Sequence, residues 1–192
     1  MNSAAPGAGG QIETIDGNRL SVRPIRASDA GALDAAFHKL SAKSRYRRFL
    51  HPVNRLGHRD LEYLTRVDHR THEALIALDQ SGEIVAVARF IREHERSQRA
   101  EVAVTVADAW QGRGVGTQML QRLAARATEL GVELFTAICL EDNKEMLELF
   151  RELGATTTHR SLGTADIEVE VALPADSPAH ILGAALKAAA TG

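Results

Sequence analysis

Hydrophobic and polar residues alternate along several short stretches of the chain, and a period of two is typical of β-strands with one buried face. The turn QSGE (80–83) between two of these stretches predicts a hairpin. The pattern therefore predicts six strands. In chain order they are NRLSVRPI (18–25), HEALIALD (72–79), IVAVARFIRE (84–93), RAEVAVTVA (99–107), VELFTAICL (132–140) and IEVEVAL (167–173).

Other stretches repeat their apolar residues every three to four positions, which predicts amphipathic helices. Ser28 is the predicted N-cap of the first helix, and Gly131 and Gly154 are predicted to end the last two. The predicted helices are the segment with Leu33, Phe37 and Leu40, then SAKSRYRRFL (41–50), RDLEYLTRV (59–67), the segment with Val115, Met119, Leu123, Ala127 and Leu130 on one face, and NKEMLELFRELGA (143–155).

The order of these elements predicts an α+β fold, a mixed α/β sandwich in which helices flank one sheet. Residues 1–10 are small and uncharged, and are expected to form a disordered tail. Residues 174–192 contain two prolines near their start and are expected to form a C-terminal tail. Within this tail the segment HILGAALKAAA could form a short helix. The predicted folded domain is residues 11–173.

Composition narrows the classes of protein that the chain can represent. It has 192 residues, 44% of them hydrophobic, and a formal net charge of -2, as expected for one globular domain rather than a polyanion-binding protein. Cys139 is the single cysteine, so no disulfide framework or cysteine-based zinc site is predicted. The sequence has no apolar run long enough to span a membrane and no pattern typical of a signal peptide, so a cytoplasmic location is expected. No bound metal is expected.

A glycine-rich loop, QGRGVGT (111–117), connects the fourth predicted strand to the long helix. It lacks the Gly-Lys-Ser/Thr of a P-loop, and neither possible start gives the G-x-G-x-x-G of a dinucleotide fingerprint. Two interpretations remain open at this point. The loop is either a plain strand-to-helix turn or a set of backbone N–H groups at a helix N-terminus that holds a pyrophosphate.

The segment VTVADAWQGRGVGTQML (104–120) resembles the acetyl-CoA-binding signature Q/R-x-x-G-x-G/A of the GNAT family of N-acetyltransferases. The family's second signature, an Asn before a helix that carries an aromatic residue and then Gly, is similar to Asn143, Phe150 and Gly154. The resemblance extends over residues 20–173 and includes acetyltransferase domains of bacterial proteins, some of which modify protein lysines. It implies a mostly antiparallel sheet that splays between the fourth and fifth predicted strands.

The resemblance also implies how acetyl-CoA, the expected co-substrate, would bind. The pantetheine arm would pair with strand backbone in the splay, the glycine loop would hold the pyrophosphate, and Arg113 could add positive charge there. The expected binding residues are Val104, Thr105, Val106, Gln111, Gly112, Arg113, Gly114, Val115, Gly116, Thr117 and Asn143.

Glu101 is the candidate general base for attack of an amine on the thioester. Period two places Glu101 on the same strand face as Ala103 and Thr105, where it interrupts an apolar strand just before the expected cofactor contacts. The resemblance implies the same role, because many family members use a glutamate on this strand. The alternative is an exposed residue that pairs with Arg99 or Arg89.

The general acid cannot be assigned from the sequence. Many relatives carry a tyrosine, which protonates the departing thiolate, where this chain has Phe150. Water is one substitute, and Tyr46, Tyr63, His69 and His72 are the side-chain candidates.

The acceptor is expected to be a primary amine, on a protein lysine or a small molecule. Residues 35–59 contain seven basic residues and no acidic one, which is either a solvated basic face or a site for a negatively charged acceptor or partner. Few aromatic residues interleave these charges, which disfavours nucleic acid. A non-catalytic acyl-CoA-binding sensor remains the alternative function, and a homodimer is left open.

Overall fold

The centre of the fold is a mixed β-sheet, which a computed structural model of the protein describes over residues 9–95, 97–153, 158–161 and 166–173. Within these residues the sheet has eight strands in the order β1-β2-β3-β4-β5-β6-β8-β7. Neighbouring strands are antiparallel except β5 and β6. The strands are β1 (Gly10–Glu13), β2 (Arg19–Pro24), β3 (His72–Leu78), β4 (Ile84–Arg92), β5 (Arg99–Val106), β6 (Leu134–Leu140), β7 (Thr158–Ser161) and β8 (Asp166–Ala172).

Helices pack on both faces of this sheet. On one face, Ala74 and Ile76 of β3 belong to a small core together with residues of the helices that precede β3. On the other face, Leu75 of β3 and Phe90 of β4 belong to the larger core, to which the helix after β5 contributes Met119. The helices are α1 (Ala30–Lys39), α2 (Ala42–Phe49), α3 (His58–Thr65), α4 (Val115–Glu129) and α5 (Lys144–Glu152).

The sheet opens between β5 and β6. The two strands pair at only three positions, from Arg99–Leu134 to Glu101–Thr136. Beyond this point β5 continues to Val106 and β6 continues to Leu140, but in the described part of the chain they no longer pair with each other. Since β5 and β6 are the fourth and fifth strands that the sequence predicts, this short pairing is consistent with the expected splay.

Most predicted elements are confirmed, including the glycine end of α4. Gly131 has φ 81°, its N–H donates to Thr128 O, and the N–H of Val132 donates to Ala127 O. This pair of bonds is the Schellman motif, which glycine favours because it tolerates the left-handed conformation. Helix α5 ends at Glu152, and the predicted stop at Gly154 lies outside the described residues.

Ser28 is not the N-cap that the sequence predicts. It lies inside a short 3₁₀ turn, Ala27–Asp29, that runs into α1. Asp29 is the N-cap residue of α1 and makes no side-chain cap bond to that helix. Its carboxylate instead accepts the backbone N–H of Arg26 at 2.7 Å, at the start of the 3₁₀ turn, and pairs with the Arg23 guanidinium at 2.7 Å. These bonds stabilise the turn that contains Ser28, so α1 begins after Ser28.

Strands β1 and β7 were not predicted. Strand β1 begins at Gly10, the last residue of the expected N-terminal tail, while residues 1–8 and 174–192 lie outside the described residues. Among the described residues no helix is both long and apolar enough to cross a bilayer. The homodimer remains a prediction.

Candidate active site

The free edge of β5 faces the opening between β5 and β6. Ala107 donates its N–H to Val85 O, on the β4 side, at 2.8 Å, whereas Gln98 O accepts N–H bonds from Glu133 and Leu134 at the start of β6. Backbone groups of successive residues in a strand point to opposite edges. Those of Val104 and Val106 therefore point into the opening, where an extended ligand with amide groups can pair as an added strand.

A cavity of about 440 Å³ fills this opening. It extends from β5 to the glycine loop and to the N-terminal turns of α4 and α5. Every expected cofactor-binding residue except Arg113 lines it. They are Val104, Thr105, Val106, Gln111, Gly112, Gly114, Val115, Gly116, Thr117 and Asn143.

The three loop glycines serve different structural needs. Gly112 and Gly114 have φ of 69° and 76°, a left-handed conformation that side chains with a Cβ disfavour. At Gly116 the constraint is space instead, because a Cβ there would lie 3.2 Å from Leu149 Cδ1 and the Leu149 side chain would have to shift. Helix α4 starts at Val115 with no side-chain cap, so the N–H groups of its first turn are available to an anion.

Arg113 is held away from the cavity. Its guanidinium pairs with Asp16 at 2.7 Å and lies over the Trp110 ring at 5.2 Å from the centroid. The backbone N–H of Ile15 donates to Arg113 O at 3.1 Å, so the turn between β1 and β2 supports the loop. The expectation that Arg113 adds charge to a phosphate has no counterpart in this geometry; its guanidinium instead anchors the loop to the first hairpin.

A polar network that the sequence did not reveal joins α2 to the loop. The Asp108 carboxylate accepts the backbone N–H of Ser41 at 2.9 Å and the hydroxyls of Ser41 and Ser44 at 2.7 and 2.8 Å. These bonds lower the pKa of Asp108, although its partial burial acts in the opposite direction. Gln111 Nε2 donates to Val106 O at 2.9 Å. The loop, β5 and α2 are thus fixed relative to one another.

Asn143 sits at the start of α5, across the opening from β5. Its side chain is buried, and Oδ1 accepts the backbone N–H of Met146 at 3.4 Å as the helix N-cap. The residue thus has a structural role in addition to its place in the cavity wall.

Glu101 lies at the point where β5 and β6 separate. It is exposed, and its backbone register pairs it with Ile91 of β4 and Thr136 of β6. The alternative partners are engaged elsewhere: Arg99 pairs with Glu170 at 2.6 Å, and Arg89 donates to Leu64 O. Within the described residues no ion pair holds the Glu101 carboxylate, and Glu101 is exposed but is not among the residues that line the cavity.

Comparisons with known proteins agree with this geometry. The sequence model of the Acetyltransferase (GNAT) family matches residues 35–155. The chain belongs to this family. Its members are acyl-CoA-dependent N-acyltransferases, and the part of this GNAT domain that the family model matches includes the open edge of β5 and the N-terminus of α4.

Individual relatives extend the comparison. The chain is 34% identical over 161 residues to Acetyltransferase Pat of Mycolicibacterium smegmatis, covering 83% of this chain but 48% of that protein, so it spans about half of that relative's length. Acetyltransferase PA5475 of Pseudomonas aeruginosa is 29% identical over 147 residues, 74% of this chain and 78% of the relative. The GNAT domain of S. lividans PAT superposes with a TM-score of 0.83 at 32% identity, over 88% of this chain and 99% of that domain.

The candidates for a general acid are scattered in this GNAT domain. Phe150 is buried in the core, and Tyr46 and Tyr63 are exposed on α2 and α3. His69 Nδ1 bonds to Glu73 Oε1 at 2.7 Å. Burial, followed by the nearby Arg89, lowers the pKa of His72 to about 4, so this ring is neutral near pH 7. None of these side chains lines the described cleft, so the acid stays unassigned.

The single cysteine and the metal-binding side chains can be placed in the same way. Cys139 is buried on β6 and packs in the core, which is typical of a small apolar side chain. Over the described residues no group of three or more His, Cys, Asp or Glu side chains forms a metal-binding cluster.

Proposed function

We propose that the protein transfers an acetyl group from acetyl-CoA to a primary amine by direct attack, with Glu101 as general base. The observation that carries this proposal is the three-residue pairing of β5 with β6, which ends at Glu101 and leaves the rest of β5 open. A base and an unpaired strand edge then lie on the same strand, within a few residues of each other.

Acetyl-CoA would be bound by backbone groups. Val104 and Val106 would pair with the amides of the pantetheine arm, and the loop from Gly112 to Gly116 with the first turn of α4 would hold the pyrophosphate. The amide of Asn143 would contact the same arm from the opposite wall of the cavity.

The chemistry requires a neutral amine. A lysine-type amine has a pKa of about 10.4 and is protonated near neutral pH. Glu101 would accept its proton, directly or through a water, as the nitrogen attacks the thioester carbonyl carbon. The backbone N–H near Val106 would stabilise negative charge on the carbonyl oxygen, and the thiolate would leave and take a proton from solvent.

The acceptor is a protein lysine or a small amine. The resemblance to bacterial domains that modify lysines supports the first, while the basic segment at residues 35–59 supports an acceptor with negative charge near its amine.

The test is calorimetric titration of the protein with acetyl-CoA, with NADH and ATP as controls, followed by an assay of thiol release in the presence of amines. Selective binding of acetyl-CoA with amine-dependent release would support the proposal. Selective binding without release for any amine would instead favour the sensor function. No binding by the folded protein would overturn the assignment of the loop.

A further inference from the structure

A second, smaller cavity lies beside the cleft, between α1, α2 and the face of the sheet that carries Glu101. Its volume is about 60 Å³, and most of its wall is apolar, including Leu33, Phe37 and Phe49. Two cationic side chains, Arg48 and Arg89, complete the wall. Two cations in a small apolar cavity require an explanation, because an uncompensated buried charge is destabilising.

Arg89 is buried and has no acidic partner among the residues that the structure describes. Its side chain is 4% exposed, and it donates to Leu64 O at 3.3 Å and to His72 Nε2 at 3.1 Å. Within the described residues no carboxylate pairs with it. Burial, followed by the charge of Arg48, lowers the pKa of Arg89 to about 9. An anion placed in this cavity would therefore relieve an existing electrostatic cost.

Arg48 connects the two cavities. It is half-buried and belongs to the lining of both, the cleft that holds Val104–Val106 and the inner cavity that holds Arg89. Burial lowers its pKa, and the charge of Glu101 acts in the opposite direction, which places Arg48 in the electrostatic neighbourhood of the candidate base. The guanidinium carbon of Arg48 lies over the Phe49 ring, 5.0 Å from the ring centroid.

The other basic residues of the 35–59 segment differ from Arg48. Lys39 pairs with Glu83 at 2.6 Å, and Arg47 pairs with Glu145 at 3.1 Å. Arg45 donates to the backbone carbonyl of Leu40 at 3.0 Å. Among these four residues Arg48 alone lines both cavities and shares the inner one with Arg89, whereas Arg47 lines the cleft only.

We propose that Arg48 and Arg89 form a carboxylate-binding subsite, and that the acceptor is a small amine that carries a carboxylate close to its amino group, such as an α-amino acid. This inference rests on the proposed acetyl transfer. A carboxylate bound by Arg48 directs the neighbouring amino group toward Glu101 and the open edge of β5. There the N–C bond forms, the C–S bond breaks, the amine proton passes to Glu101, and the thiolate is protonated by solvent.

Size favours a small acceptor over a protein. The inner cavity is about one seventh of the volume of the cleft, and Arg89 is almost fully buried behind it. A carboxylate can approach such a site when it is attached to a small molecule, whereas the acidic side chain of a folded protein surface would have to leave that surface.

The experiment compares kcat/KM for glycine, alanine and leucine with kcat/KM for their C-terminal amides, which keep the amine and lack the carboxylate. A peptide with an internal lysine serves as the third class of acceptor. Wild-type protein is expected to prefer each acid over its amide by about tenfold or more, because a charged hydrogen-bond partner is lost in the amide. The acid-to-amide ratio is expected to fall to about one in Arg48→Met and to recover partly in Arg48→Lys.

Arg55→Met is the matched control, because Arg55 lies in the same basic segment but is exposed and lines neither cavity. It should leave the acid-to-amide ratio unchanged. Arg89→Met is assayed only after thermal unfolding shows that it folds, and Arg48→Met carries the test if it does not. Thermal unfolding of both Arg48 variants near the wild-type midpoint separates a loss of acceptor binding from a general structural defect.

Each result decides between the proposals. Equal use of acids and amides by the wild type, or an unchanged ratio in Arg48→Met, would overturn the subsite. Transfer to the lysine peptide with rejection of all amino acids would also overturn it, while leaving the proposed acetyl transfer intact. Binding of acetyl-CoA without transfer to any acceptor would overturn the proposed function itself.

Discussion

Glu101 of β5 and Thr136 of β6 form the last matched pair before the two strands separate. This pairing fixes the backbone of Glu101 on both sides, since Ile91 of β4 is its partner on the other edge. Three residues later the outer edge of β5 is free. The same strand thus holds a carboxylate on rigid backbone and offers unpaired backbone groups to a ligand, an arrangement suited to catalysis because rigid elements preserve geometry.

Replacement of Glu101 by Gln should lower kcat by at least about 100-fold near pH 7, because an amide cannot accept the amine proton. Affinity for acetyl-CoA, measured by calorimetry, should change by less than about twofold, since the expected binding contacts are backbone groups further along β5. Glu168→Gln is the matched control, because Glu168 is another glutamate of the same sheet, on β8 opposite Ile138. Equal kcat in Glu101→Gln and the wild type across neutral pH would refute the base assignment.

The phosphate role of the loop can be tested with two glycines in similar local environments. Gly112 and Gly82 have φ of 69° and 82°, and a Cβ at either would have no heavy atom within 4 Å. Alanine should therefore cost each site about 1 kcal/mol of backbone strain. Calorimetry should show at least a tenfold loss of acetyl-CoA affinity for Gly112→Ala and none for Gly82→Ala. Similar affinities for the two variants would mean that the loop is only a turn.

Local pattern was sufficient to predict the strand–loop–helix unit at the site. Strand β5, the glycine loop and α4 are consecutive in sequence, and their periods and glycines specify them without reference to the rest of the chain. The Schellman end at Gly131 is equally local. Strands β1 and β7 are four residues each and lie at or near the edges of the sheet, so their alternation is too short to stand out from neighbouring loops.

Long-range contacts could not be predicted in the same way. Asp108 caps α2 through Ser41 and Ser44, more than sixty positions away in sequence, and nothing near Asp108 indicates these partners. Arg89 is another example, because a strand arginine is ordinarily exposed, and only the packing of α3 over β4 buries it. The sequence did show excess basic charge in residues 35–59, but only the fold shows that Arg48 of this segment lines both cavities.

Asn143 combines helix capping with a position in the cavity wall, and two substitutions separate these roles. Ser can still cap α5 but lacks the amide, so Asn143→Ser should keep its thermal stability and lose acetyl-CoA affinity severalfold. Asn143→Ala should lose similar affinity and also about 1 kcal/mol of stability, because the bond to Met146 N is lost. Full acetyl-CoA affinity in Asn143→Ser would show that the residue is a helix cap only.

The neutral state of His72 predicts a specific dependence of stability on pH. Burial and Arg89 lower its pKa from 6.5 to about 4 in the folded protein, so the unfolded chain binds more protons between these values. The stabilisation is complete above pH 6.5 and is lost as the pH falls toward 4. Burial tends to raise the pKa of Asp68, but hydrogen bonds from Thr71 and from nearby backbone N–H groups lower it from 3.8 to about 2. Protonation of Asp68 therefore reduces the stability only as the pH falls below 3.8.

His72→Gln keeps a hydrogen-bond acceptor for Arg89 but removes the titrating group, and His94→Gln is the control because His94 is exposed. The free energy of unfolding is measured with urea at pH 7 and at pH 5. Between these values it should fall by about 1 kcal/mol more in the wild type and in His94→Gln than in His72→Gln, after allowance for solvent screening. An identical loss in all three proteins would show that His72 titrates normally in the fold. Its ring would then be charged at pH 5 beside Arg89, and the electrostatic cost assigned to the inner cavity would have to be reassessed.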